Sequence, residues 1–192
     1  MNNNRNNHIK GFTILEIVVV IGILMLIAVS LGAFQTDVLK NNRFSLDSLN
    51  TVQDARSIIS TMVKELRTAS PASNGSFTIV QAATNTLTFY SDIDGDLLKE
   101  QVRYFLSTTT LRKGVIKPTG SPPTYNNNNE TFSYLAYNIR NSSTTPLFEY
   151  FDSNYMGTSS PLAQPVITTN LRLVKVNLII DVDPNRAPII RT

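Results

Sequence analysis

IVVVIGILMLIAVSLGAF, Ile17 to Phe34, is an eighteen-residue run with no charge and one polar side chain, Ser30. The core of a small globular domain does not need an unbroken run of that length, whereas a bilayer does. Extended back to Phe12, the stretch has 23 residues and a single charge, Glu16. As a helix it is about 35 Å long, enough to cross a hydrocarbon core of about 30 Å. Residues 1–11, MNNNRNNHIKG, are polar and Asn-rich, basic through Arg5 and Lys10, and carry no acid. Such a flank is expected to stay cytoplasmic, with the rest of the chain outside the inner membrane. An ordinary secretory signal has a shorter apolar core and a small-residue cleavage site. This run is longer, and helix-compatible sequence follows it instead.

Composition narrows the function classes. The 192 residues fit one domain with an appendage. There is no cysteine, so disulfides, thiolate nucleophiles and Cys-based metal centres are excluded. The one histidine, His8, lies in the leader, which leaves Ser-His-Asp chemistry unavailable to the rest of the chain. Only carboxylate, Lys or Ser chemistry would remain to an enzyme, and no catalytic residue is expected. Net charge is +3 from 17 Lys+Arg and 14 Asp+Glu. Removing Arg5 and Lys10 leaves 15 against 14, or +1, so no nucleic-acid-binding face is expected for the head.

Beyond Phe34 the sequence turns polar but stays helical. Leu49, Val52, Ala55, Ile59, Val63 and Leu66 recur at spacings of 3, 3, 4, 4 and 3, which predicts one apolar face. Asp47, Asp54, Arg56, Lys64, Glu65 and Arg67 mostly fall off it. Ser70-Pro71 ends the pattern, because the residue before proline avoids the α region. One helix is therefore expected from near Phe12 to near Ala69, about 87 Å long. Its apolar half spans 12–34 and its amphipathic half 35–70, and a sheet in 71–192 should cover the stripe. Strands are expected at Ser76–Gln81, Thr86–Ser91, Glu100–Leu106, Thr110–Ile116, Phe132–Ile139, Pro146–Phe151 and Leu171–Val182. The last has the clearest alternation, which predicts a central strand with one face on the helix. Short connections predict antiparallel pairing, hence an α+β fold. Pro118–Asn129 reads as a surface loop, and Pro184–Thr192 as a frayed end.

A carboxylate at the edge of an apolar helix is costly, about 2.5–3.5 kcal/mol at a bilayer centre and less near the interface. It therefore calls for a partner. A cut between Gly11 and Phe12 would create an α-amine four residues from Glu16. Lys10-Gly11-Phe12-Thr13-Ile14-Leu15-Glu16, followed by Ile17-Val18-Val19-Val20-Ile21-Gly22-Ile23-Leu24, resembles the type III signal motif of type IV pilins and type II secretion pseudopilins. The resemblance covers about 25 residues. It implies cleavage after Gly11 by a prepilin peptidase, N-methylation of Phe12, and an assembly role for Glu16 against the amine of a neighbouring subunit. The implied partners are that peptidase, other pilins or pseudopilins, and the inner membrane, with a periplasmic or extracellular filament as the destination. Many major pilins carry a proline about twenty residues into the mature helix. Here none occurs before Pro71, and Gly22 and Gly32 stand in the apolar half instead. That points towards a pseudopilin or minor subunit.

In the head, Asp92-Ile93-Asp94-Gly95-Asp96 places three carboxylates around a glycine. Asp92, Asp94 and Asp96 could bind Ca²⁺ through hard oxygen ligands. An EF-hand loop fails at both ends, because Tyr90 and Gln101 would occupy its first and twelfth positions. The simpler reading is a polar turn between two strands, tightest at Asp94-Gly95. The segment Leu87–Asp96 followed by Val102–Leu106 resembles the strand–DxDGD–strand segment of J-type minor pseudopilins, which implies a place in a complex near the filament tip. Asn141-Ser142-Ser143 is formally a glycosylation acceptor, and it carries no weight in a bacterial pilin-like chain. Asn126–Asn129 reads as compositional bias in a solvated loop, and the aromatics of Phe148–Tyr155 as strand core. The alternative function is a membrane-anchored adhesin or DNA-uptake pilin whose head binds a ligand.

Overall fold

The computed structural model describes residues 11–181. The leader residues Arg5, His8 and Lys10 and the segment Pro184–Thr192 lie outside them. The chain divides into two compact units, 1–46 and 47–192. Helix α1, Ile14–Arg67, starts in the first and ends in the second.

In the first unit the helix starts at a cap. Thr13 Oγ1 accepts from the Glu16 amide at 3.2 Å, and the Thr13 carbonyl accepts from the Ile17 amide at 3.2 Å. Thr13-x-x-Glu16 thus has capping-box spacing, with Glu16 at the third helical position, where an acid also complements the helix dipole. Among the described residues of the apolar run the large apolar side chains are exposed. Ile17, Val18, Val19, Val20 and Ile21, consecutive residues that together encircle the helix, are each 47–61% exposed. Ser30 is no exception to the apolar character, because its hydroxyl donates back to the carbonyls of Leu26 (3.1 Å) and Ile27 (3.0 Å). The helix is long and apolar enough to cross a membrane.

The second unit packs the last part of α1 against a five-stranded antiparallel meander. Its strands are β1 (Ile79–Ala83), β2 (Thr86–Ser91), β3 (Glu100–Ser107), β4 (Thr110–Ile116) and β5 (Thr131–Ala136), in that spatial order. Period-two alternation on β3 turns Glu100, Val102 and Tyr104 inward and leaves Gln101 and Arg103 on the other face. Leu87 opposite Tyr104 and Phe89 opposite Val102 form the buried cross-strand pairs. β6 (Phe148–Phe151) and β7 (Leu173–Val176) form a separate two-stranded ribbon, whose Phe148 and Tyr150 join the same core. Tyr150 anchors the ribbon by donating to the carbonyl of Ala83 at 2.7 Å. Burial pushes its phenol far above the ordinary tyrosine range.

The apolar stripe of α1 differs from the expected one. The side of the helix against the sheet runs through Ala55, Ile58, Met62 and Leu66, with Met62 fully buried, and Ala69 just past the helix end packs on the same core. Leu49 and Val52 are 68% and 45% exposed. The helix is therefore rotated from the expected face, and this brings Glu65 inward. Its carboxylate accepts from Tyr104 Oη at 2.7 Å and from Lys113 Nζ at 2.5 Å, and Tyr104 and Lys113 are themselves cross-strand neighbours. Burial and the Glu65 carboxylate both push the Tyr104 phenol upward.

The strand expected at Leu171–Val182 is corrected. Only Leu173–Val176 is strand, and it pairs with β6 rather than lying centrally against the helix. The alternation is real, since Val174 and Val176 turn inward while Leu173 and Lys175 face out. Alternation specifies a half-buried strand but not its neighbour. The pairing ends where the Asn177 side chain turns to the Pro146 carbonyl and to Glu149. β5 likewise stops at Ala136 rather than 139, ahead of Asn138, which has φ 57°. β1 starts three residues later than expected, at Ile79. On the outer sheet face Gly114 sits opposite Arg103. A Cβ there would come within 1.9 Å of Glu130 Oε1, which Arg103 grips in a two-pronged ion pair at 2.8 and 2.7 Å.

Candidate functional site

The residues singled out by sequence fall in two places, one in each unit. Gly11 and Phe12 precede the helix in an exposed, non-helical segment, with Phe12 78% exposed. Glu16 follows in the first turn, exposed, on the only charged position between Phe12 and Phe34.

The second place is the connection between β2 and β3. Ser91 pairs with Glu100, so residues 92–99 form an eight-residue loop. The loop folds on its own carboxylates. Asp92 Oδ1 accepts from the Gly95 amide at 2.7 Å, and its Oδ2 accepts from the Leu97 amide at 3.1 Å. Asp94 Oδ1 accepts from the Asp96 amide at 3.3 Å, and Asp96 Oδ1 from the Leu98 amide at 2.8 Å. These Asx turns need left-handed backbone at Gly95 (φ 82°) and at Leu97 (φ 73°). The expected polar turn with Asp94-Gly95 at its tip is thus what the backbone forms.

The three carboxylates brought together differ from the sequence triplet. Oxygens of Asp92, Asp94 and Glu100 lie within 4.8 Å of one another, and Asp96 is not one of the three. From the sequence Glu100 is expected only as the first residue of a strand. It is fully buried beneath the loop, where its Oε2 accepts from the Ile93 amide at 3.0 Å. Its Oε1 has no partner. Burial pushes the Glu100 carboxyl up, and the nearby charges of Asp94 and Asp96 add to this. Two ammonium groups lean on the rim. Lys99 Nζ is 3.7 Å from Asp92, and Lys117 pairs with Asp94, whose carboxyl it holds below the usual range. Lys117 is itself raised by the same contact. The signal for Glu100 was present in the sequence, since it stands in the same period-two phase as Val102 and Tyr104.

Other flagged segments serve the fold. Asn141 donates to the carbonyls of Thr145 (3.1 Å) and Asn177 (2.8 Å) and accepts from the Ile179 amide (3.1 Å). Phe148, Tyr150 and Phe151 are buried core residues. The chain gives no match to any family model, curated protein or solved structure with which it was compared.

Proposed function

We propose that this chain is a pilin-like structural subunit. In this reading it is cut after Gly11, methylated on Phe12, held in the inner membrane by residues 12–34, and assembled into a type IV pilus or type II secretion pseudopilus as a minor, tip-proximal subunit. The observation that carries the reading is the N-terminal stretch of α1, residues 14–34, whose large apolar side chains are exposed on all sides and whose one carboxylate stands in the first turn beside an exposed Gly11–Phe12 segment. A membrane span needs the apolar surface but not the acid. A filament core uses both, because a neighbour's amine would compensate the carboxylate. Val38, Leu39, Leu46, Leu49 and Val52 are also exposed, so apolar helix surface continues past the span. Helix–helix packing between subunits would bury it.

The test is the mature N-terminus. Mass spectrometry of the membrane fraction from the native host is expected to show a chain beginning with N-methylated Phe12. Gly11→Leu is expected to leave the leader attached. A mature chain beginning elsewhere, or normal processing of the Gly11 variant, would remove the cleavage assignment.

One observation favours a second reading, a head that binds a ligand. Arg103 lies 4.2 Å over the Phe105 ring and Arg112 lies 4.7 Å over Tyr134, while Phe132, Tyr134 and Tyr137 are more than half exposed beside them. A ligand-binding head predicts that Tyr134→Ala with Tyr137→Ala abolishes adhesion or DNA uptake by intact cells while filament assembly persists.

A further inference from the structure

We infer that the β2–β3 loop is a calcium site whose ligands are Asp92, Asp94 and Glu100, with Glu100 as the buried anchor. Two oxygens bound to one Ca²⁺ at 2.3–2.6 Å stand at most about 5.2 Å apart. The three carboxylate oxygens, within 4.8 Å of one another, already satisfy that limit. Asp96, which completes the acidic triplet in the sequence, is replaced by a residue four positions further on. The loop wraps back so that the first residue of β3 closes the site from below.

The independent observation is Glu100 Oε1. A fully buried carboxylate oxygen without a hydrogen-bond partner is costly, whether the group is ionised or protonated. Native folds retain such an atom when something else satisfies it. Neither nearby lysine is bonded to it, since Lys99 contacts Asp92 and Lys117 contacts Asp94. A divalent cation placed among the three carboxylates would satisfy Oε1 and offset the mutual repulsion of the acids.

The two lysines are the alternative account of the cluster, because they already neutralise Asp92 and Asp94. They also mark where a cation is wanted. Lys117 is 65% exposed along its side chain and can swing into solvent as an ion enters. It would then act as a competitor for Ca²⁺, and its removal should tighten binding. Calcium fits the ligand set better than magnesium. It accepts irregular oxygen geometry and carbonyl or water ligands to complete its shell, whereas Mg²⁺ demands a near-ideal octahedron.

The experiment uses the full chain in detergent micelles, stripped with a chelator and titrated calorimetrically with CaCl₂. One Ca²⁺ per chain is expected, with a dissociation constant on the order of 10⁻⁵ to 10⁻³ M, the range of sensor and extracellular sites. Glu100→Gln and Asp92→Asn should each weaken binding about tenfold or more, and Asp96→Asn by less. Lys117→Gln should strengthen it by a few-fold, and this exposed position keeps the test sound if a Glu100 or Asp92 variant fails to fold. No saturable binding by the wild-type chain up to about 10 mM CaCl₂ would overturn the proposal. So would unchanged affinity in a folded Glu100→Gln chain, or weaker binding in Lys117→Gln.

Discussion

Glu65→Leu is expected to destabilise the head by about 2–4 kcal/mol, and Lys113→Met in the same chain is expected to recover most of that loss. Glu65 and Lys113 are only 12% and 14% exposed, and they meet on the inner side of the sheet with Tyr104 as the third member. Removing the carboxylate alone strands an ammonium and a phenol in a site with little water. That is the expensive way to break a buried pair, because the remaining charge keeps its desolvation cost without compensation. Removing both charges replaces the pair with apolar packing, which is often neutral. The lower end of the single-variant range allows for the slight exposure of both groups, which lets water reach the ammonium. The measurement is urea denaturation of the full chain in micelles, followed by tyrosine fluorescence. A Glu65→Leu cost under about 1 kcal/mol, or a double variant worse than the single, would show that the contact does not hold the helix against the sheet.

The same node shows where the sequence is readable and where it is not. The apolar run Ile17–Phe34, the break at Ser70-Pro71 and the antiparallel pairing all follow from local rules, and the fold class rests on them. The rotation of α1 does not follow from local rules. Val52, Ile59 and Val63 on one side and Ile58 and Met62 on the other give two overlapping stripes that share Ala55 and Leu66. Helical period alone does not choose between them. The choice becomes visible only with β3 and β4 in view, because an inward Lys113 beside Tyr104 requires an acid, and Glu65 is the acid in reach. Reading charged residues as surface hid it. Glu100 was hidden for the same reason, although its alternation with Val102 and Tyr104 places it inside. The Leu171–Val182 alternation failed differently, since it fixed a half-buried strand and left its partner open. On the candidate site, Asp92 and Asp94 were legible from spacing. Replacing Asp96 by Glu100 required the path of the loop, set by left-handed Gly95 and Leu97.

Glu16→Val is expected to leave the chain membrane-bound and cut after Gly11, yet to lower its incorporation into sheared filaments by about two orders of magnitude. Two roles for Glu16 make opposite predictions here. As the third residue of a helix capped by Thr13, an acid contributes about 0.3–1 kcal/mol at an exposed helix start. Valine would forfeit that, but it would also remove the desolvation cost of a carboxylate at the membrane edge. On the capping role alone, anchoring improves and assembly hardly changes. As the partner of a neighbouring subunit's Phe12 amine, the carboxylate is needed only when subunits pack. There its loss leaves a cation unpaired among the apolar side chains that surround this position on the helix. Breaking a buried pair from one side costs about 3–5 kcal/mol, and about 1.4 kcal/mol is a tenfold change in an equilibrium constant. Glu16→Gln separates charge from shape, since it keeps the size and hydrogen-bonding capacity of the side chain without the charge. It should fail nearly as badly as valine in assembly while the helix start stays intact. The readout is the ratio of mature chain in the sheared filament fraction to that in the membrane fraction of the native host. Wild-type incorporation of both variants would reduce Glu16 to a helix cap, and the first unit would then be no more than a membrane anchor.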